Sequence, residues 1–182
     1  SAGINSGDTS CEETISWKKK IILFLTSQTI SLFGSSIVQY AISWYIVLET
    51  RSGVMMTISI VCGFLPMFFL SPFAGVWADR YDRKKILVMS DSLIALSTLV
   101  VAIMFLLGYE SIWLLFVISA VRGAGGAVQL PAVGAFIPQL VPQDKLVRVN
   151  GINSSIQSVI MLVSPMVSAA LMSFTTLKYI FF

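Results

Sequence analysis

Histidine is absent from the 182-residue chain, cysteine occurs twice, and only 12% of the residues are charged. The missing histidine removes the side chain that most often carries protons in enzyme active sites. No Ser-His or Cys-His dyad can form, and no spacing points to a metal site or a catalytic centre, so neither an enzyme nor a bound cofactor is expected. Cys11 and Cys62 lie too far apart in sequence to give a disulfide framework or a zinc pattern. Cys62 sits in an apolar run, where it reads as a small buried thiol. A soluble domain carries about 25% charged residues, twice the share found here. A soluble core of this size could not hide the apolar stretches that remain.

What is abundant is hydrophobic surface, at 56% of the residues with a mean hydropathy of +0.86. A membrane-crossing helix needs roughly 20 mostly apolar residues. Five segments qualify, at about 21–48, 54–78, 86–107, 112–140 and 151–174, and a sixth is expected to start at Tyr179. The polar breaks between them are short, which makes neighbours antiparallel and predicts an up-and-down all-α membrane bundle. The first run is too long for a cleavable signal peptide and has no small-residue cleavage site after it. Residues 1–16 are small and polar and read as a disordered tail, which leaves 17–182 as the bundle.

Basic residues set the expected orientation. Lys18, Lys19, Lys20, Arg80, Arg83, Lys84, Lys85, Lys145 and Arg148 fall on alternate links, against Arg51 and Lys178 on the opposite ones. A multi-pass protein of the cell (inner) membrane with a cytoplasmic N-terminus follows. The net charge of +3 therefore reports topology and not nucleic-acid binding.

The most specific signal is the link after the second span, Gly75-Val76-Trp77-Ala78-Asp79-Arg80-Tyr81-Asp82-Arg83-Lys84-Lys85. It resembles the major facilitator superfamily signature of Gly, three residues, Asp-Arg, one residue, Gly, then Arg-Lys. Gly75, Asp79, Arg80, Arg83 and Lys84 match, while Asp82 stands where the family has glycine. Small Gly75 would let two helices approach closely. The resemblance implies that Asp79 latches onto a helix end of the other half of the transporter, where a carboxylate meets a positive dipole end. The plainer alternative is that the basic cluster only fixes topology.

Arg122 lies inside the fourth span and is followed by Gly123, Gly125, Gly126 and Gln129. The family has an arginine here with a glycine four residues later, which Arg122 and Gly126 fit. An arginine in an apolar span costs a few kcal/mol or more without partners, so it is expected to face the interior, with Gln129 on the same helical face. Asp91 lies about 9 Å into the third span and Arg122 about 15 Å from the other side. In a core about 30 Å thick that leaves about one helical turn between them, so an Asp91–Arg122 pair sensitive to protons is one reading. Asp91 paired with Arg83 or Lys84 at the interface is the other, and an Arg122 satisfied by backbone carbonyls stays open too.

Polar stripes recur at three- and four-residue steps, Gln28-Ser31-Ser35-Gln39-Ser43 in the first span and Asn150-Asn153-Gln157-Met161-Ser164-Ser168 in the fifth. Such faces line an interior or a water-filled cavity. The family places substrate between its halves, so Gln28, Gln39, Tyr40, Trp44, Arg122, Gln129 and Gln157 are candidate cavity residues. Tyr40, Trp44 and Tyr45 equally suit an interfacial belt.

Ser164-Pro165, followed by Ser168-Ala169, resembles the exporters' Gly-Pro, two residues, Gly-Gly stretch, with small residues kept for helix packing. Together with Gly63-Phe64-Leu65-Pro66, the stretch from Trp17 to Leu177 is similar to bacterial exporters of the macrolide-efflux type. The resemblance implies the N-terminal six-helix bundle of a major facilitator fold, here five spans plus the start of the sixth, with a C-terminal bundle missing. It further implies proton-coupled efflux of hydrophobic drugs or other small molecules by alternating access. A solute importer of the same superfamily and a truncated, non-transporting membrane fragment are the alternatives.

Overall fold

The computed structural model describes residues 6–109 and 111–180, with side chains described for 16–109 and 111–174. The described residues form five long helices and no strand. These are α1 (Ser6–Thr50), α2 (Gly53–Arg80), α3 (Arg83–Leu106), α4 (Ile112–Leu140) and α5 (Leu146–Ile180), with a 3-10 turn at Gln143–Lys145 before α5. All five are long and apolar enough to cross a membrane. Two of the links turn on a residue in the left-handed region. Arg51 takes a left-handed φ of 49° and donates its N–H to Val47 O, and Gly108 ends α3 at φ 70°.

Two boundaries differ from those read in the sequence. α1 begins at Ser6, inside the stretch marked as a tail, and it contains no proline to stop it before Thr50. Cys11 falls there, and its side chain lies outside the described residues, as do residues 1–5. α5 runs unbroken through Thr175-Thr176-Leu177-Lys178, so Tyr179 continues the fifth helix instead of opening a sixth. No glycine or proline follows Pro165 in α5 to break the helix there. Phe181 and Phe182 lie outside the described residues.

α4 is the central helix, packed chiefly against α2 and α3, while α1 packs chiefly on α5. The α2–α4 crossing is built from small residues at four-residue spacing, Ser59 and Gly63 on one helix, Ser119 and Gly123 on the other. Both serines are essentially inaccessible, and a Cβ on Gly123 would lie 1.9 Å from the Gly63 carbonyl oxygen. Without a hydrophobic force between helices in lipid, such backbone proximity is what van der Waals attraction requires. Gly125 plays the same part toward α3, where a Cβ would come 2.7 Å from Ile94 Cγ1. The sequence-based choice of Gly126 needs correction: a Cβ there meets nothing within 4 Å, and the same holds at Gly75. Gly126 is one turn from Leu130, on a face that opens to a cleft described below.

Along the bundle axis, apolar clusters sit at the ends and polar groups lie between them. Ile21, Leu87, Val133, Ile137, Val141 and Val149 form the cluster at the end that carries the basic residues. Ile42, Ile46, Val101, Met104, Leu115, Phe116 and Ile118 form the other, with Tyr45 edge-on to Phe105 beside it. Ser164 and Ser168 are fully buried on α5, on either side of Pro165, so small side chains there admit a close neighbour.

Gly123→Leu should cost the bundle more than the usual 1–3 kcal/mol of overpacking, because backbone and not a flexible side chain stands in the way. Gly126→Ala should leave stability unchanged or slightly raised. Thermal unfolding in detergent would check both, and a tolerated Gly123→Leu would contradict the crossing.

Candidate functional site

The polar interior is organised as two layers, each built from α1, α3 and α4. In the first, Gln129 Nε2 donates to Asp91 Oδ1 at 2.5 Å and to Gln28 Oε1 at 3.3 Å, while Gln28 Nε2 donates to Asp91 Oδ2 at 3.1 Å. In the second, Arg122 is the hub. Its Nη2 donates to Ser35 O at 2.7 Å and Ser35 Oγ at 2.9 Å, its Nε to Gln39 Oε1 at 3.3 Å, and its Nη1 to Thr98 Oγ1.

The spacing follows one rule. Gln28 to Ser35, Asp91 to Thr98 and Arg122 to Gln129 are each seven residues apart, which is two turns on one face of each helix. The layers therefore lie about 10 Å apart along the axis at 1.5 Å per residue. Between them Ile94 fills the space that Gly125 leaves open.

This register corrects the expected ion pair. Asp91 and Arg122 are separated by two turns, not one, and each is satisfied by neutral groups. The offset arises because α4 has 29 residues and α3 only 24, so depth counted from the links misplaces one helix against the other. The interface alternative does not form either. Arg83 donates from Nε to Ala78 O at 3.2 Å and from Nη1 to Ala135 O at 2.9 Å, while Lys84 is exposed. A backbone carbonyl does serve Arg122, at Ser35, but three side-chain oxygens share the work.

The matched link is a structural joint at one end of the bundle. Asp82, standing in the glycine position, caps α3 by accepting from Lys84 N at 3.1 Å. Its φ of −61° needs no glycine. Arg83 ties the end of α2 to α4. Asp79 and Arg80 are exposed.

The remaining cavity candidates separate. Tyr40 and Gln157 line a cleft of about 170 Å³ with Leu32, Ser36, Leu130, Ile160 and Met161, between α1, α4 and α5. Gln28, Gln39, Arg122 and Gln129 are engaged in the layers instead, and Trp44 is 40% exposed away from both. The cleft walls are apolar, with hydroxyl and amide groups from Ser36, Tyr40 and Gln157 and no charge, which suits an amphiphilic ligand. Sequence reasoning missed Ser36 and Thr98. Both were marked by spacing, Ser36 one turn from Leu32 and from Tyr40, Thr98 two turns from Asp91.

Thr98→Val keeps the side-chain shape and deletes an acceptor of a buried guanidinium. It should lower stability by about 1–2 kcal/mol, measurable as a reduced unfolding temperature, whereas Ser92→Ala on the exposed face of α3 should not.

The family model for the Major Facilitator Superfamily matches residues 24–182. Macrolide efflux protein A of Streptococcus pyogenes is 35% identical over 162 residues, covering 89% of this chain and 40% of that protein. Macrolide efflux protein A of Enterococcus faecalis is 36% identical over 122 residues, covering 67% of this chain and 38% of the relative. The Staphyloferrin A transporter of Staphylococcus aureus is 25% identical over 154 residues, covering 82% and 38%. The chain thus spans about two-fifths of the length of the curated relatives it matches, and no solved structure matches it. With a match running from the first span to its last residue, and with five membrane-length helices around a polar interior, this chain belongs to the major facilitator superfamily.

Proposed function

We propose that this chain is the N-terminal bundle of a secondary active exporter that moves hydrophobic drugs or similar small molecules outward, coupled to protons, by alternating access. The observation that carries the reading is the 35% identity to a macrolide efflux protein over 89% of the chain. The uncharged cleft between α1, α4 and α5 supports it. Its apolar walls offer burial worth about 25 cal/mol per Å², and its few polar groups orient a ligand without demanding a charge.

Alternating access needs a partner. In this reading a C-terminal bundle faces the cleft and completes the substrate site, and a sixth span completes the N-terminal bundle. Asp79 and Arg80, exposed at the basic end of α2, engage a helix end of that second bundle and release it in the opposite state. Arg83 holds the joint rigid from within. The basic links face the cytoplasm, as the charge bias requires. Asp91 and Arg122 are the candidates for proton coupling, since both are charged groups on the inner faces of the bundle, Arg122 buried and Asp91 partly buried.

Accumulation of a radiolabelled macrolide in cells making the transporter with its second bundle tests the reading. Accumulation should fall relative to empty cells and recover when an uncoupler collapses the proton gradient. Raised accumulation would indicate an importer, and no difference would leave only a membrane fragment.

A further inference from the structure

We infer that the cleft between α1, α4 and α5 is a subsite for one uncharged, hydroxyl-bearing six-membered ring of the transported molecule, a pyranose being the plainest example, and that Ser36, Tyr40 and Gln157 read it. The inference rests on the exporter reading above and deepens it, because it names which part of the ligand this bundle receives and which part it refuses.

Size decides how much of a ligand enters. The cleft holds about 170 Å³, whereas sites that enclose a whole drug-sized ligand run from about 300 to 1,000 Å³. A closed apolar cavity of about 150 Å³ binds benzene. One six-membered ring therefore fills the cleft, and the rest of a larger ligand stays outside it, on the side of the second bundle.

The polar groups decide what kind of ring. Ser36 and Tyr40 stand one turn apart on α1, and Gln157 lines the same cleft from α5. Among the described residues, none of these three side chains has an internal hydrogen-bond partner. Their neighbours on the same helices do. Gln28, Ser35 and Gln39 are engaged in the layers, Ser43 donates to Gln39 O, and Ser155 and Ser158 donate to carbonyls one turn back. Ser36 and Tyr40 follow Ser35 and Gln39 by one residue, about 100° around the helix. α1 thus turns one face to the layers and the adjoining face to the cleft.

A hydroxyl, a phenol and a carboxamide each offer both a donor and an acceptor. Ring hydroxyls do the same, so a partner of either sense is matched, whereas a plain hydrocarbon ring would strand all three groups. Leu32, Leu130 and Ile160 supply apolar wall for the ring's C–H faces. Met161, unbranched and 73% exposed, adapts to rings of different outline.

Charge is refused for the same reasons that hydroxyls are accepted. Among the described residues, no acidic or basic side chain lines the cleft. Asp91 and Arg122 spend their hydrogen bonds within the layers. An ammonium or carboxylate on the ring would leave water without a counter-ion there. A charged group on the ligand is therefore met outside this cleft, and substrates sort by whether the small ring is neutral.

The test uses the transporter with its second bundle, in lipid nanodiscs, and three forms of one tritiated macrolide. One carries a neutral sugar, one lacks that sugar, and one has a hydroxyl of the sugar replaced by a protonated amine. Equilibrium binding should favour the neutral sugar over each of the other two by about 10-fold. Tyr40→Phe combined with Gln157→Leu should bring the neutral-sugar and sugar-free forms within about twofold of each other, a change of ratio that a general loss of folded protein does not produce. Gln157→Glu should reverse the order of the amine and neutral forms, because it places a counter-ion in the cleft. If the double variant does not assemble, Gln157→Glu decides. Equal binding of the neutral-sugar and sugar-free forms by the parent protein, a ratio unmoved in the double variant, or an order that Gln157→Glu does not reverse would overturn the proposal. Uncoupler-sensitive efflux of the macrolide alongside any of those results would leave the exporter reading standing. A parent protein that neither binds nor exports any of the three forms would overturn both.

Discussion

Two opposite charges inside a bundle whose outer face is apolar, Arg122 buried and Asp91 partly so, set the terms for everything else. Taking an ion out of water costs several kcal/mol even after relaxation. At about 10 Å and an effective dielectric of 20, the attraction between Asp91 and Arg122 returns only about 1.7 kcal/mol. Coulomb attraction alone is therefore too weak, and local hydrogen bonds must supply the rest. That requirement explains why Gln28, Ser35, Gln39, Thr98 and Gln129 sit in the middle of membrane-length helices. It also explains the apolar clusters at both ends, which close the bundle above and below the polar layers.

The small residues of α2 and α4 answer the same constraint from another side. Precise polar layers need a rigid reference, and backbone contact at Gly63 and Gly123 gives α4 one. With α3 locked by Ile94 against Gly125, the trio of α2, α3 and α4 becomes a frame. α1 joins that frame through the hydrogen bonds of the two layers and through apolar packing at both ends, Ile21 with Leu87 and Ile137, Ile42 and Ile46 with Val101 and Leu115, and it packs along α5 as well.

Much of this was legible in the sequence. The five spans followed from run length, and the shared face of Arg122 and Gln129 followed from seven-residue spacing. The stripe of Gln28, Ser35 and Gln39 marked the inner face of α1 for the same reason. Helix register was not legible. Depth counted from the links assumes helices of equal length, and α4 outruns α3 by five residues, enough to turn an expected pair into two layers. Packing partners of glycine were hidden as well, since Gly123, Gly125 and Gly126 are adjacent in sequence but face α2, α3 and the open cleft side. Whether the fifth helix would end at Thr175 depended on the absence of a breaker, which a polar composition alone does not reveal.

The account turns on Asp91 being held as a carboxylate by two amides. Infrared difference spectra of the reconstituted transporter, recorded between neutral and acid pH with Asp91→Asn as the reference, read that state directly. The expected result is a hydrogen-bonded carboxylate band at neutral pH that gives way to a carboxyl band on acidification, accompanied by shifts in glutamine carbonyl bands that disappear in Gln28→Leu and Gln129→Leu. A carboxyl band already present at neutral pH, or a conversion that leaves the glutamine bands unmoved, would contradict it.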